Sequence, residues 1–434
     1  MLKTLVGAFK NKDIRKKILY TLMILVIVRV GSLLPIPGVD TEYFSSLLSG
    51  INTGDLSYLS AFTGGSFERM SLFALSITPY ITSSIIMQLL AIAIPKLEEM
   101  QKEGEDGRKK IAAITRYVTI ALALIESIAM AVGFGRSGLI KGYQGFSTLH
   151  YIVSIIVVVA ALTAGSAMLM WLGERITENG VGNGISIVLL INIISGMPSD
   201  FATLYSTFVA PRTIAKGVLA AAIIIAILVV MVVLVCFLQD GERRIPVQYS
   251  QKVSGRKTFG GQSTNIPLKV NTAGVMPVIF ASSLMQFPVI IAQLFGKSYE
   301  WTRYLSSSYW CRISAPKYSI GLILYIVLLI IFAYFYTSIT FNPIEVADNL
   351  KKAGGVIPGI TPGKSTSDYL NNILNYIVFV GAVGLLIIAL IPIMCTGFFN
   401  ASVSFGGTSV IIIVGVVLET LKQIESQMVN RYYK

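Results

Sequence analysis

The residues whose types and spacing suggest chemistry are few. His150 is the sole histidine and lies at the end of an apolar run, and no HExxH or GxSxG pattern accompanies it, so metallohydrolase and nucleophile-elbow chemistry lack their parts. Cys236, Cys311 and Cys395 are odd in number and form no CxxC pair, which indicates neither a disulfide framework nor a thiolate metal site. The stretch GVIPGITPGKST suggests a phosphate loop, but G-x-x-x-x-G-K-[ST] needs glycine five residues before Gly363, and Pro358 stands there. Gly180, Gly182 and Gly184 follow an apolar run rather than a β-strand, so a tight turn and close helix packing explain them better than nucleotide binding. Glu126 lies well inside an apolar run, where a proton relay would want several such groups facing each other. Arg29 lies in the first run, and a voltage sensor would repeat the arginine along one helix; a position that faces protein or snorkels outward is expected instead. The chain is expected to have no catalytic site, no metal and no cofactor.

The elements that hold these residues are membrane spans. With 434 residues, 54% hydrophobic and 13% charged, the chain has more apolar surface than one soluble core hides. Ten runs approach the roughly 20 residues that cross a bilayer: 18–36, 70–94, 111–133, 149–173, 185–208, 213–238, 272–295, 318–339, 373–395 and 405–421. Segment 1–17 before the first run looks like a secretory signal, yet SLLPIPG offers no A-x-A cleavage site, so a retained span is expected. Lys and Arg number 24 in the N-terminal tail, the C-terminal tail and alternate loops, against 8 in the remaining loops, which predicts both termini in the cytoplasm. The net charge of +13 therefore concentrates on the inner face, where anionic lipid, nucleic acid or an acidic protein can meet it.

One stretch organises the rest. In Leu56 to Leu90 the first half, with Gly64, Gly65 and Ser66, is too short and polar to cross a bilayer. Such backbone persists at membrane depth only where protein or a water-filled cavity shields it. Ile81 and Ile85 lie one helical turn apart in the second half, and Ile185 and Leu189 repeat that spacing in the fifth run. Ten spans divide into two sets of five, and because five is odd any similarity between halves must be inverted. The expected fold is an all-α polytopic membrane protein of ten helices. Its parts are a basic N-terminus (1–17), an N-terminal half (18–208), a C-terminal half (209–421) with cytoplasmic loops 239–271 and 340–372, and a tail (422–434). Val247, Tyr249 and Val253 flank Ser254-Gly255 and predict a protruding β-hairpin with Arg256 and Lys257 near its tip.

The motifs ERRIPVQYSQK, QSTNIPLKVNTAGVMPVIFASS, NPIEVADNLKKAGGVIPGITPGKST, EGEDGRKKIAAITRY, WLGERITENGVGNGISI and FGGTSV resemble the bacterial SecY family, channel subunits of the general protein translocase, over essentially the whole chain. The resemblance implies an hourglass pore between two inverted halves, passing unfolded secretory polypeptides across the cytoplasmic membrane and releasing signal sequences and membrane segments sideways into lipid. It places a ring of aliphatic side chains on Ile81, Ile85, Ile185, Leu189, Ile279 and Ile412, and a short re-entrant plug at about 55–68 that includes Phe62, Thr63, Gly64, Gly65, Ser66 and Phe67. It places polar lateral-gate residues on Gln88 and Asn271. Docking sites for the ribosome and the SecA motor fall on Arg243, Arg244, Arg256, Lys257, Lys351 and Lys352, with SecE and SecG as partner subunits. Thr361 stands where the family usually has arginine, which bears on motor engagement.

Two other classes remain. An ion-coupled solute transporter also suits inverted repeats and broken helices, but needs charged or polar ligands at the midplane where this chain offers aliphatics. An intramembrane enzyme lacks a catalytic set.

Overall fold

The computed structural model describes residues 9–50, 63–135, 148–211, 214–249, 252–254, 257–259, 263–294, 300–306, 309–311, 316–399 and 407–432. Its helices are α1 (Lys12–Leu33), a short α2 (Thr41–Gly50), α3 (Thr78–Ala93), α4 (Pro95–Lys102), α5 (Glu105–Gly135), α6 (Thr148–Asn179), α7 (Gly184–Leu204), α8 (Ile214–Asp240), α9 (Met276–Leu294), a short α10 (Thr302–Leu305), α11 (Ile320–Thr340), α12 (Pro343–Lys352), α13 (Lys364–Phe399) and α14 (Gly407–Tyr432). Each of the ten apolar runs holds one of them. Among the described residues six helices are long and apolar enough to cross a membrane, or seven if α3 and α4 count as one bent span. They leave apolar faces outside: Val218, Leu219, Ile223 and Ile225 of α8 are all more than half exposed, as side chains meeting lipid are.

The second run departs from expectation. It is helical only from Thr78, while 64–70 and 72–77 run as turns, with Met70 and Ser76 both at positive φ. At its other end α3 stops at Ile94 before Pro95, whose ring and missing N–H forbid continuation, and α4 leaves at 106°. Hydroxyls tie α3 to its neighbours. Ser83 Oγ lies 2.8 Å from both Thr119 Oγ1 and the Thr115 carbonyl of α5, and Thr163 of α6 donates to Ser127 of α5 at 3.1 Å. In the other half α9 packs on α11 through Phe280, edge to face with Phe332 at 5.8 Å and Tyr336 at 6.1 Å.

A small sheet adds a β element to the helical class. Strand β1 (Glu242–Tyr249) pairs antiparallel with β4 (Ser263–Lys269), and between them β2 (Lys252–Ser254) pairs with β3 (Lys257–Phe259) through Ser254↔Lys257. That is the predicted hairpin. A further strand, β5 (Gly355–Val356), comes from the loop after α12 and joins the other edge of β1 through Gln248↔Val356 and Tyr249↔Gly355. Alternate residues Ile245, Val247 and Leu268 turn inward onto Leu350, Ile357, Leu370 and Ile373. The two long loops therefore form one body with its own apolar core at one end of the bundle.

Candidate functional site

The site begins at the turn between α6 and α7. Gly182 holds φ +81, a region open to glycine, and Asn183 caps α7 by accepting from the N–H groups of Ile185 and Ser186 at 3.1 and 3.4 Å. The cap fixes the phase of α7 so that Ile185 and Leu189, one turn apart, point the same way. Ile81 from α3, Ile279 from α9 and Ile412 from α14 meet them, and these five aliphatics from four helices line one cavity of about 650 Å³. Leu189, Ile279 and Ile412 are buried, and Ile81 and Ile185 are half-buried. Ile85 does not line this cavity; it is half-buried and packs on the central apolar core that includes Ile279 and Ile412.

The rest of the lining mixes polar and charged side chains with Val275, Met276, Phe280, Val416 and Leu418, and it extends to the sheet. Lys269 ends β4, and Asn271, Thr272 and Gly274 follow it along the wall. Charged residues stand at the mouth, where Arg116 of α5 and Glu174 of α6 pair at 2.6 Å and Lys422 of α14 reaches Asp240 of α8 at 2.7 Å. These pairs are partly exposed and worth at most about 1 kcal/mol each. The sequence reading did not select Arg116 and Glu174; the signal was a cation and an acid at the ends of two apolar runs.

Gln88 and Asn271 line the same cavity. The Gln88 amide donates to Ser84 Oγ at 3.3 Å, and the Asn271 amide donates to the Gly274 carbonyl at 2.9 Å. Gln88 Oε1 and Gln239 Nε2 have no partner among the described residues, and both side chains belong to the lining. The cavity thus offers hydrogen-bonding capacity beside its aliphatic side chains.

Of the residues expected in the plug, Phe62 lies outside the described residues. The segment that holds the rest meets α7 beyond Leu189. Asn192 and Ser195 follow Leu189 by three and six residues on α7, about 4.5 and 9 Å further along the helix. Ser195 Oγ shares its one proton between the Asn192 carbonyl at 2.9 Å and the Gly64 carbonyl at 3.4 Å, Arg29 of α1 donates to the Gly64 carbonyl at 3.5 Å, and Asn192 donates to Ser76 Oγ at 3.0 Å. Gly64 has φ +61, and a Cβ there would stand 2.5 Å from Ser195 Oγ and 2.7 Å from the Asn192 carbonyl. Thr63, Ser66 and Phe67 are buried, with Phe67 against Phe44 of α2 at 5.8 Å. The Ile36 N–H donates to the Met70 carbonyl at 3.1 Å, and the Leu72 N–H to the Leu34 carbonyl at 2.9 Å. Non-helical backbone at membrane depth is here sheathed in protein on several sides. Sequence reasoning missed Asn192 and Ser195; a polar residue inside the run ISIVLLINII was the available signal.

The basic residues gather at the sheet. Arg243 and Arg244 are exposed on β1, with Arg244 held to Glu242 at 2.6 Å, and Lys351 and Lys352 are exposed at the end of α12. Arg256 lies outside the described residues, and Lys257 begins β3. Thr361 offers its carbonyl to Thr366 Oγ1 at 2.9 Å, near the start of α13. Among the described residues no cluster of His, Cys, Asp and Glu could hold a metal.

The SecY family model matches residues 71–421. A curated relative, protein translocase subunit SecY of Streptomyces galbus, is 44% identical and the match covers 100% of this chain and 99% of the relative. The fold resembles that of a SecY structure described by its plug domain, which stabilises the closed state of the translocation channel (TM-score 0.61, 19% identity, 96% of this chain and 92% of that one). It also resembles Sec61 in the canine ribosome–channel complex from the endoplasmic reticulum (TM-score 0.60, 18% identity, 96% and 93%). These solved structures share the architecture; by the family model and the full-length relative the chain is a multi-pass membrane protein and belongs to the SecY family.

Proposed function

We propose that the chain is a protein-conducting channel of the bacterial cytoplasmic membrane, passing unfolded secretory polypeptides across it and releasing signal sequences and membrane segments into the bilayer. One observation carries the reading: aliphatic side chains from four separate helices meet in one cavity whose lining runs on through polar and charged side chains to Lys269 at the end of β4 in the basic sheet. A narrow aliphatic collar wets poorly and holds back ions, and it yields around a polypeptide without offering it sites to bind. Ile81, Ile185, Leu189, Ile279 and Ile412 form this collar, with Ile85 one turn behind Ile81 as its support. The chain has no chemistry of its own in this reading, and the work of moving cargo comes from partners.

The two halves, 18–208 and 209–421, enclose the path. Segment 55–68 is the plug beyond the collar. Gln88 and Asn271 belong to the lateral gate, where α3 and α5 face α9 and α11. The sheet lies in the cytoplasm with both termini, and Arg243, Arg244, Arg256, Lys257, Lys351 and Lys352 dock the ribosome or the SecA motor. A basic surface suits ribosomal phosphates, and such contacts weaken as salt rises. SecE and SecG complete the complex.

The test is a photoreactive amino acid at Leu189, with one at Ile320 on the outside of the bundle as control. A stalled secretory chain crosslinks from position 189 and not from 320. Crosslinking from 320 alone would put the path elsewhere and end the proposal.

A further inference from the structure

At the end of α11 away from the sheet, aromatic and basic side chains gather around the start of the helix. The Tyr304 and Tyr318 rings meet edge to face at 5.0 Å, Tyr309 lies 5.9 Å from Tyr318, and Trp310 gives its indole N–H to the Tyr304 carbonyl at 2.8 Å. This bed carries two exposed cations. The Arg303 guanidinium stands 5.8 Å from the Tyr309 ring centre and the Lys317 ammonium 5.0 Å from that of Tyr318. Neither cation has an ion-pair partner within 4 Å among the described residues, and Glu300 adds only a weaker attraction at longer range. Two like charges thus lie over neighbouring rings whose centres are 5.9 Å apart, an arrangement that an anion completes.

The depth of the pair identifies the anion. Helix α11 begins at Ile320 and runs 21 residues, about 32 Å at 1.5 Å per residue, close to the hydrocarbon thickness of a bilayer. Lys317 and Tyr318 precede it directly and therefore sit at the level of the headgroups. Below them Ile320, Ile323, Leu324 and Val327 are 63%, 61%, 45% and 45% exposed, at the spacing that puts them on one helix face. A soluble phosphate has use for the cations alone. A lipid uses the cations and the stripe.

We propose that Arg303 and Lys317 bind the phosphate of an anionic phospholipid in the leaflet facing away from the β-sheet, with an acyl chain along the apolar stripe below. The site is separate from the basic loops, which lie at the other end of α11, and it anchors the helix that packs on α9 beside the collar.

The experiment uses the full chain in lipid nanodiscs with Trp171 changed to phenylalanine, so that Trp301 and Trp310 report. Quenching by acyl-brominated phosphatidylglycerol is compared with quenching by brominated phosphatidylcholine. The expected result is a preference for phosphatidylglycerol that falls about fivefold for each cation removed in Arg303→Gln and Lys317→Gln, and that survives in the charge-keeping pair Arg303→Lys with Lys317→Arg. Equal quenching by both lipids, or a preference unchanged in the double glutamine variant, overturns the proposal. So does a preference abolished by inorganic phosphate and not by chloride at matched ionic strength, which would make this a soluble-anion site.

Discussion

The collar and the segment Thr63–Ile77 lie within two helical turns of each other along α7, and they are built on opposite principles. At the collar, Ile81, Ile185, Leu189, Ile279 and Ile412 meet through dispersion and water exclusion, with no directional bond between them. In the neighbouring segment the backbone is irregular and is fixed by hydrogen bonds: Gly64 to Arg29 and Ser195, Ser76 to Asn192, Met70 and Leu72 to the chain after α1. Aliphatic contacts have no preferred register, so a collar can widen and close again by small rotamer and helix shifts. The hydrogen-bonded segment moves only by exchanging partners, each exchange exposing a polar group that needs another. Sealing and holding are thereby separated, and each can be broken without the other.

The largest effect is expected at the collar. Changing Ile81, Ile85, Ile185 and Ile279 together to serine removes about 2 kcal/mol of apolar transfer free energy per side chain and lets water into the collar. Ion leak through the reconstituted protein in planar bilayers rises by orders of magnitude, while thermal stability falls less than it does for serines placed in the packed core at Val188, Val278 and Ile411. Unchanged conductance would mean that the seal lies in the segment beyond, and the division of labour would be wrong.

A smaller effect, of the opposite kind, is expected from Gly64→Ala. Its φ of +61 costs an L-residue about 1–2 kcal/mol. The new Cβ also meets the Asn192 carbonyl at 2.7 Å, and backbone on a packed helix gives way less readily than a side chain. The melting temperature drops, and Ser195→Ala restores only part of it because the clash with Asn192 persists. A full rescue by Ser195→Ala would show that the helix does yield and that the segment is as soft as the collar.

How much of this was legible in the sequence differs between the two regions for a physical reason. Hydropathy is a sum over about twenty residues, so all ten runs gave helices, and the turn-spaced pairs Ile81/Ile85 and Ile185/Leu189 could be placed on common faces before any coordinates. Ile85 falls outside the cavity although it shares a face of α3 with Ile81; one turn further along, it packs on the central apolar core instead. The irregular segment was legible only as an exception to hydropathy. Positive φ at Met70 and Ser76 has no local signature in those residue types, and the bond from Arg29 to Gly64 joins residues 35 apart. The sheet shows the same boundary: alternation and Ser254-Gly255 disclosed the hairpin, whereas the pairing of Gln248 with Val356 across a hundred residues depends on how α11 to α13 pack.

The smallest effect tests whether the Gly64 carbonyl is held by two donors that substitute for one another. Its bonds to Arg29 and Ser195 are long, 3.5 and 3.4 Å, and the Ser195 proton is shared with the Asn192 carbonyl at 2.9 Å, which places each at the low end of the roughly 0.5–1.5 kcal/mol of a net hydrogen bond. Ser195→Ala leaves the arginine in place, and Arg29→Gln leaves the hydroxyl, so each single change is expected to shift stability by about half a kcal/mol. With both gone the carbonyl loses its side-chain donors, and the double variant is expected to lose about 1 kcal/mol more than the sum of the singles, since residues sharing one acceptor do not act independently. Melting curves on the four proteins of that cycle give the coupling directly. Simple additivity would mean that Arg29 and Ser195 act through different contacts, and the carbonyl would then be held by the fold of its own segment rather than by α1 and α7.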